Sequence, residues 1–390
     1  GQRALVSTGN GAITAGPAEP FHAKKTSDGI RIACYETKDS VLDWYCRTID
    51  PASGPRPMGA TPRLGIGCRM STAVWPGIWN AMSSGGFATN AIQNSLRELN
   101  LLEDLRVGNP PRSNYQFSFG QVQEGHTGSS FEGLWTEGVL SAIASGRWPR
   151  YGADADHIMV KRAADGLDRA KKIIDAARYY SFYTLDVSDL LDYEALSRGG
   201  YTGLEQAMPD ESERRSVISY HRLGRSIGGV EYRPTEEELA GLYGKYGVAL
   251  DAVIELRDHL RSLKGDVGFD LELSIDENPP EVMTCDNRTS DTELLFLLLE
   301  SERRGLELTH VAPNLGVEKG VDYRCPEGLA ELEERLRRQN RIAAQFGVMI
   351  DCHSGDDLSP RTRQVIGRAT DGHIHFKVSP SLQVLFGQVL

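Results

Sequence analysis

From Pro62 onward the chain alternates two hydrophobic rhythms. Short runs rich in apolar and aromatic residues are separated by longer stretches in which apolar positions recur at helical spacing. The short runs predict strands at "RLGIGC" (63–68), "FATNAIQ" (87–93), "RYGADADH" (150–157), "YSFYTLDV" (180–187), "FDLELSID" (269–276), "LELTHVAP" (306–313), "GVMIDCHS" (347–354) and "HIHFKV" (373–378). Helical patterns lie between them, including "GLDRAKKIIDAARYY", "TEEELAGLYGKYGVALDAVIELRDHLRSL", "SDTELLFLLLESERRG" and "GLAELEERLRRQNRIAAQFG". The last two end at Gly305 and Gly347, where glycine suits a helix C-terminus.

Strands alternating with helices predict a parallel sheet, and eight strands are the number that closes a (β/α)8 TIM-like barrel. An open, doubly wound sheet is the alternative. The stretches 94–149 and 190–265 read as insertions in the barrel. The first sixty residues are rich in Gly, Pro and Ser in patches around "IRIACYETKDSVLDWYCRTI", which predicts a strand and a helix. The expected division is an N-terminal cap over 1–61 and a catalytic domain over 62–390.

Composition narrows the function. The formal net charge is −11, and the basic run "RLRRQNR" interleaves with apolar residues as a solvated helix face. Neither nucleic acid nor an acidic membrane is an expected partner. No apolar run approaches the roughly 20 residues that span a bilayer. The six cysteines contain no CxxC pair, which gives no support to a zinc ribbon or a thioredoxin-like motif. With no signal-peptide pattern visible, a reducing cytoplasm is the expected setting. No GxGxxG follows the first strand and no GxxxxGK[ST] occurs, which weakens nucleotide-binding readings.

Polar residues concentrate late in the predicted strands or just beyond them. The third carries Asp154, Asp156 and His157, and the fourth Asp186, Ser188 and Asp189. The fifth carries Glu272, Asp276 and Glu277; the seventh Asp351, His353, Ser354 and Asp356; the eighth His373, His375 and Lys377. In a barrel these ends converge on one face. Side chains alternate along a strand, so Asp154 and Asp156 share a side, while His157 leaves it unless the strand has ended. His22, His126, His221, His259 and His310 read as surface or hydrogen-bonded residues without a role.

Histidines at three strand ends, each beside a carboxylate, suit a divalent metal ion: zinc first, with nickel, manganese or iron(II) as alternatives. A sugar carbonyl and its adjacent hydroxyl would complete the coordination, the metal acting as Lewis acid and the remaining carboxylates moving protons. The substrate is expected to be an unphosphorylated sugar acid or ketose, since no phosphate-cradling glycine loop opens the last helices. Lys161, Arg162 and Lys377 are candidate anion partners. Gln93, Asp186, Asp276 and Ser354 join Lys161 and Lys377 as candidate substrate-binding residues.

With "YGADADHIMVK", "YTLDVSD", "FDLELSIDE", "IDCHSGDDLS" and "GHIHFKVSPSLQ" assembled, the chain resembles the tagaturonate/fructuronate epimerase family, metal-dependent enzymes of uronate catabolism. Weaker agreement lies in "RLGIGCRMST" and "AIQNSLREL". The resemblance implies a (β/α)8-like fold, one divalent metal ion and inversion of one hydroxyl-bearing carbon of a keto-hexuronate. By motif match it implies that Asp156 is a proton acceptor, that Glu272 is the second acid/base, and that His157, His353 and His375 are metal ligands. Small residues beside Asp154 and Asp156 would let substrate approach. The chain departs from the family's pattern in "KVSPSLQ" after the last strand's lysine and in the longer connection "ENPPEVMTCDNRTSDTELLF". Relatives continue past the closing "LQVLFGQVL", so either a longer native chain or a disordered end is expected. Two other functions compete: a metal-dependent aldolase or ketose isomerase, and a non-enzymatic carbohydrate-binding protein.

Overall fold

The computed structural model of the protein describes residues 4–9, 19–27, 31–67, 71–95, 116–117, 120–121, 129–146, 150–196, 204–278, 282–378 and 388. All eight predicted strands form and close into one parallel barrel, which excludes the open sheet. They are β1 (Arg63–Ile66), β2 (Ala88–Asn94), β3 (Tyr151–Met159), β4 (Phe182–Asp186), β5 (Asp270–Ser274), β6 (His310–Ala312), β7 (Met349–Cys352) and β8 (His375–Val378). Spatial order follows chain order, and β8 closes against β1.

Among the described residues one main helix leads from each strand to the next: α1 (Ser71–Gly85), α2 (Phe131–Ser145), α3 (Gly166–Ala176), α4 (Glu236–Lys264), α5 (Asp291–Arg303), α6 (Gly328–Gln345) and α7 (Pro360–Thr370). The expected insertions therefore contain barrel helices: α2 lies within 94–149 and α4 within 190–265. The true excursion before α4 holds a helix at Glu211–His221 and a hairpin of Arg225–Ile227 with Val230–Tyr232. The α5 run "LLFLLL" is apolar all round because the helix is buried on every side. Its entry is a capping box, with Ser290 and Glu293 satisfying each other's backbone N–H groups. Gly305 and Gly347 adopt the left-handed conformation just past α5 and α6, as their positions predict.

Outward strand residues such as Ile92, Leu185, Leu273, Val311 and Ile350 join the helices in one continuous apolar layer. The barrel lumen is polar instead. At its N-terminal end Arg63 and Asp270 form a buried pair at 2.9 Å. The N–H groups of Met58 and Gly59 donate to the same carboxylate, so the segment before β1 seals that end. Ala4–Gly9, His22–Lys25 and Arg31–Glu36 form a three-stranded antiparallel sheet, the last being the predicted strand, and the predicted helix follows at Asp39–Thr48.

Two cysteines depart from the sequence expectation. Cys285, before α5, and Cys325, before α6, are disulfide-bonded across 40 residues of sequence. Nothing in their spacing signals this, because the pairing depends on two loops meeting at the barrel mouth.

Candidate active site

The site grows from an irregularity in β3. Ala155 pairs with Tyr183 and Ile158 with Leu185, so Asp156 and His157 together stand opposite Thr184 alone. This is a β-bulge: one extra residue re-aims the strand. His157 takes φ +48°, a left-handed conformation that is uncommon outside glycine. The alternation rule sends His157 away from Asp156. The bulge brings it back, and the adjacent acid and imidazole both serve the mouth. Ser354, immediately after His353, is also left-handed at φ +55°. Strained backbone thus occurs at two of the strand ends that carry the site's histidines.

Lys377 is the hub. Its Nζ lies 2.9 Å from Asp156 Oδ1, 2.9 Å from Thr184 Oγ1, 3.2 Å from Glu272 Oε2, 3.5 Å from Asp154 and 3.8 Å from Asp351. Burial opposes its charge, but Asp154, Asp156, Glu272 and Asp351 hold it protonated well above the usual lysine range. Burial pushes the Asp154 carboxyl well above the usual carboxylate range against the pull of Lys377.

The histidines form two levels. At the rim, His157 Nδ1 donates to Asp186 at 3.0 Å, which leaves Nε2 facing the lumen 3.8 Å from Asp156. The His157 and His353 rings lie 4.8 Å apart. His353 Nε2 is 2.9 Å from Glu272 and its Nδ1 is 2.9 Å from Asp276. Burial would lower its pKa, but Asp276 and Glu272 hold it well above the usual imidazole value. Burial also favours a neutral Asp276, and the charges of His353 and His157 reverse that, keeping it ionised.

One level deeper, His375 Nδ1 sits 2.6 Å from Asp351. Burial, with Lys377 and Arg63 nearby, pushes His375 well below the usual imidazole value, so its ring is neutral. Gly65 makes room for this level, since a Cβ there would lie 2.8 Å from His375 Nε2 and 2.9 Å from Gln93 Oε1.

Among the described residues, metal-ligand atoms gather within 4.8 Å in two groups: His157, Asp186 and Glu277, and Glu272, Asp351 and His375. The three histidines do not meet in one of these groups. Glu272 connects the levels, touching His353 while sharing the second group with His375. The donor set fits a cation. Buried Asp154, Asp156, Glu272 and Asp351 surround Lys377, and buried Asp186 stands behind His157. His353 Nδ1 faces Asp276 at 2.9 Å and His375 Nδ1 faces Asp351 at 2.6 Å, so imidazole and carboxylate atoms converge in pairs at both levels. Buried carboxylates in such excess are costly unless a positive charge joins them.

The remaining sequence candidates scatter. Gln93 is buried, with its Oε1 unpartnered. Lys161 is exposed on the rim, lining a cavity of about 540 Å³ with Ser188 and Glu277. Arg162 is committed to Asp189 and the Leu191 carbonyl. Ser354 and Asp276 line a second cavity of about 340 Å³. His373 is exposed and turned to the Asp371 carbonyl, outside the site. The side chain of Asp356, His126 and the "SPSLQ" turn (379–383) lie outside the described residues.

The small residues of "GADADH" have a packing role. Gly152 makes room for Asn90, and Ala153 and Ala155 join the apolar layer. The sequence reading missed Thr184, which bridges Asp154, Glu272 and Lys377. It also dismissed His310, which is buried 5.4 Å from the His375 ring in register with Glu272. Alternation back from Asp186 would have placed Thr184 inward. His221 and His259 are structural, bonded to Tyr232 and Glu300 and to Asp175.

A closed (β/α)8 barrel whose C-terminal mouth gathers imidazoles, carboxylates and a buried lysine is the site of an acid–base enzyme. Residues 122–381 match the family described as UxaE: tagaturonate epimerase, and the chain belongs to that family. It is a carbohydrate epimerase of the isomerase class, acting on a uronate ketose. A glycerol-complexed crystal structure of fructuronate-tagaturonate epimerase UxaE from Cohnella laeviribosi matches with 21% identity and a TM-score of 0.66, over 97% of this chain and 67% of that one. The native structure of the same enzyme matches with 20% identity and a TM-score of 0.63, over 94% and 69%. At this identity the likeness is one of fold. No curated protein matches the chain.

Proposed function

We propose that the chain inverts one hydroxyl-bearing carbon of a keto-hexuronate with the aid of one divalent metal ion. The observation that carries this reading is the surplus of buried carboxylates around Lys377, with the imidazoles of His353 and His375 packed against them. His157, His353 and His375 would hold the ion, with Glu272 between them as a fourth donor or as an acid/base. When bound, it would supply Lewis-acid polarisation of the substrate's oxygens. Zinc is the first candidate, with nickel, manganese and iron(II) as alternatives.

The carbon to be inverted lies one position beyond the ketone's α-carbon, so the carbonyl does not acidify its proton. A retro-aldol route meets this difficulty. Asp156 takes the proton of the hydroxyl on that carbon, the adjacent C–C bond breaks, and an enediolate and an aldehyde result. The aldehyde turns over its other face, the C–C bond re-forms, and Asp156 returns the proton to the new hydroxyl, while Glu272 serves as the acid/base of the enediolate fragment. Two-base proton exchange needs acids on opposite sides of one carbon. Lys377 stands between Asp156 and Glu272 at 2.9 and 3.2 Å, which favours the retro-aldol route.

The test is turnover of a keto-uronate against its neutral and phosphorylated counterparts, before and after chelation and metal return. Clear preference for a phosphorylated sugar, or full activity in the chelated protein, would overturn the reading. Cleaved fragments without an inverted ketose would move it to an aldolase. The expected cytoplasmic setting now competes with the disulfide, since reducing compartments rarely keep one.

A further inference from the structure

We propose that Lys319 and Arg324 recognise the substrate's carboxylate, a specificity role that rests on the keto-uronate reading above. Both line the cavity of about 340 Å³ whose other wall is Asp276 and Ser354. Asp276 lies 2.9 Å from His353, and Ser354 follows it in sequence. The cavity thus begins at the reacting cluster and ends at two cations. A six-carbon chain carries its carboxylate away from its ketone, so a substrate held at His353 has its acid end in such a space.

The mouth is acid-rich, and a carboxylate enters it only toward a cation with charge to spare. The alternatives are committed. Lys377 is shared among four carboxylates, and Arg63 is paired with Asp270. The Arg162 guanidinium is engaged by the Asp189 and Leu191 carbonyls, and its backbone N–H by the Asp189 carboxylate. Lys161 faces a cavity that also carries Asp189, Asp192, Glu194 and Glu277, while that of Lys319 and Arg324 carries Asp276, Glu277 and Glu318. Among the described residues Lys319 and Arg324 each have a single ion-pair partner, distant for Lys319 and close for Arg324. Lys319 Nζ is 3.6 Å from Glu277, Arg324 pairs with Glu318, and both cations are more than half exposed. Exposed pairs of this kind exchange easily. The Arg324 fork can take a carboxylate through two parallel N–H groups, with Lys319 as a second point charge. The Cys285–Cys325 disulfide adjoins Thr284 on one wall and Arg324 on the other, and holds the walls in register.

The test uses Lys319→Met, Arg324→Met and the double variant in the full-length, metal-loaded enzyme. Turnover of the keto-uronate is measured beside inhibition by the hexonate and by the hexitol of the same carbon chain. The expected result is a rise in KM of about 10- to 100-fold for the loss of a charged hydrogen bond, with kcat nearly unchanged. Hexonate inhibition weakens by a similar factor, and any inhibition by the uncharged hexitol does not. Unchanged KM and hexonate inhibition, or equal weakening of hexonate and hexitol, overturns the assignment. A wild-type enzyme inactive on every keto-uronate overturns the functional reading first, and is told apart by its failure before any substitution.

Discussion

Lys377 on the last barrel strand and Asp156 on the third lie 2.9 Å apart, Nζ to Oδ1, in the closed interior. The pair ties the carboxylate proposed to move protons to the cation that also faces Asp154, Glu272 and Asp351. Asp156→Asn keeps the shape and removes the basicity. Its kcat should fall by about 10²–10⁴-fold, with fold and metal content intact. Lys377→Met leaves four carboxylates without their cation, and should cost about 3–5 kcal/mol of stability as well as activity. Wild-type turnover in Asp156→Asn would remove Asp156 from the mechanism. Urea unfolding midpoints separate the two variants.

Metal content gives the second prediction. His353→Ala should lose the ion, because His353 sits between the rim and deeper levels. Glu272→Gln decides a role that geometry leaves double, since Glu272 touches His353 and Lys377 alike. We expect it to retain metal and lose about 10²–10⁴-fold in rate as the second acid/base. Elemental analysis of both purified variants is the check. A metal-free Glu272→Gln protein makes Glu272 a ligand and shifts the second acid/base role to Asp276.

Much of the barrel was legible because its signals are local. Each buried strand is a short apolar run, and each helix carries its own period and end signals. Parity also put Asp154 and Asp156 on one side of their strand, and both are buried toward Lys377. The His157 orientation was not legible, because the bulge that re-aims it is fixed by pairing with β4. His310 was set aside as a lone histidine, yet the alternation of its strand points it inward beside Glu272. Lys319 and Arg324 lie on a loop that gains meaning only when the β5 and β6 connections meet at the mouth.

That meeting gives a third prediction. The Cys285–Cys325 bond closes a loop of about 40 residues, and its removal should cost about 2–4 kcal/mol. Cys285→Ser/Cys325→Ser should unfold at lower denaturant, and the wild-type protein treated with reductant should follow it. Thiol counting in the unfolded protein, with and without reductant, must differ by two groups. Equal counts mean that the cysteines are not bonded in solution.

The last prediction concerns acid stability away from the site. Glu300 on α5 is buried and accepts hydrogen bonds from His221 at 2.9 Å, Arg303 at 2.6 Å and Arg304 at 2.7 Å. Burial alone would raise its pKa. The bonds from Arg303 and His221, with the charge of Arg304, outweigh burial and hold the carboxyl well below its ordinary value of 4.5. A carboxylate depressed on folding releases its proton more readily in the native state. Its contribution is therefore complete above pH 4.5, where the unfolded chain is ionised too. It fades as pH falls from there toward the native pKa, where protonation favours the unfolded chain. Glu300→Gln leaves two arginines without their buried partner and should cost about 3–5 kcal/mol at pH 7. The stability gap between wild type and variant, read from urea unfolding, should stay level from pH 7 to about 5 and narrow below pH 4.5. A gap that stays constant down to pH 3 would show that the Glu300 charge does not stabilise the native protein.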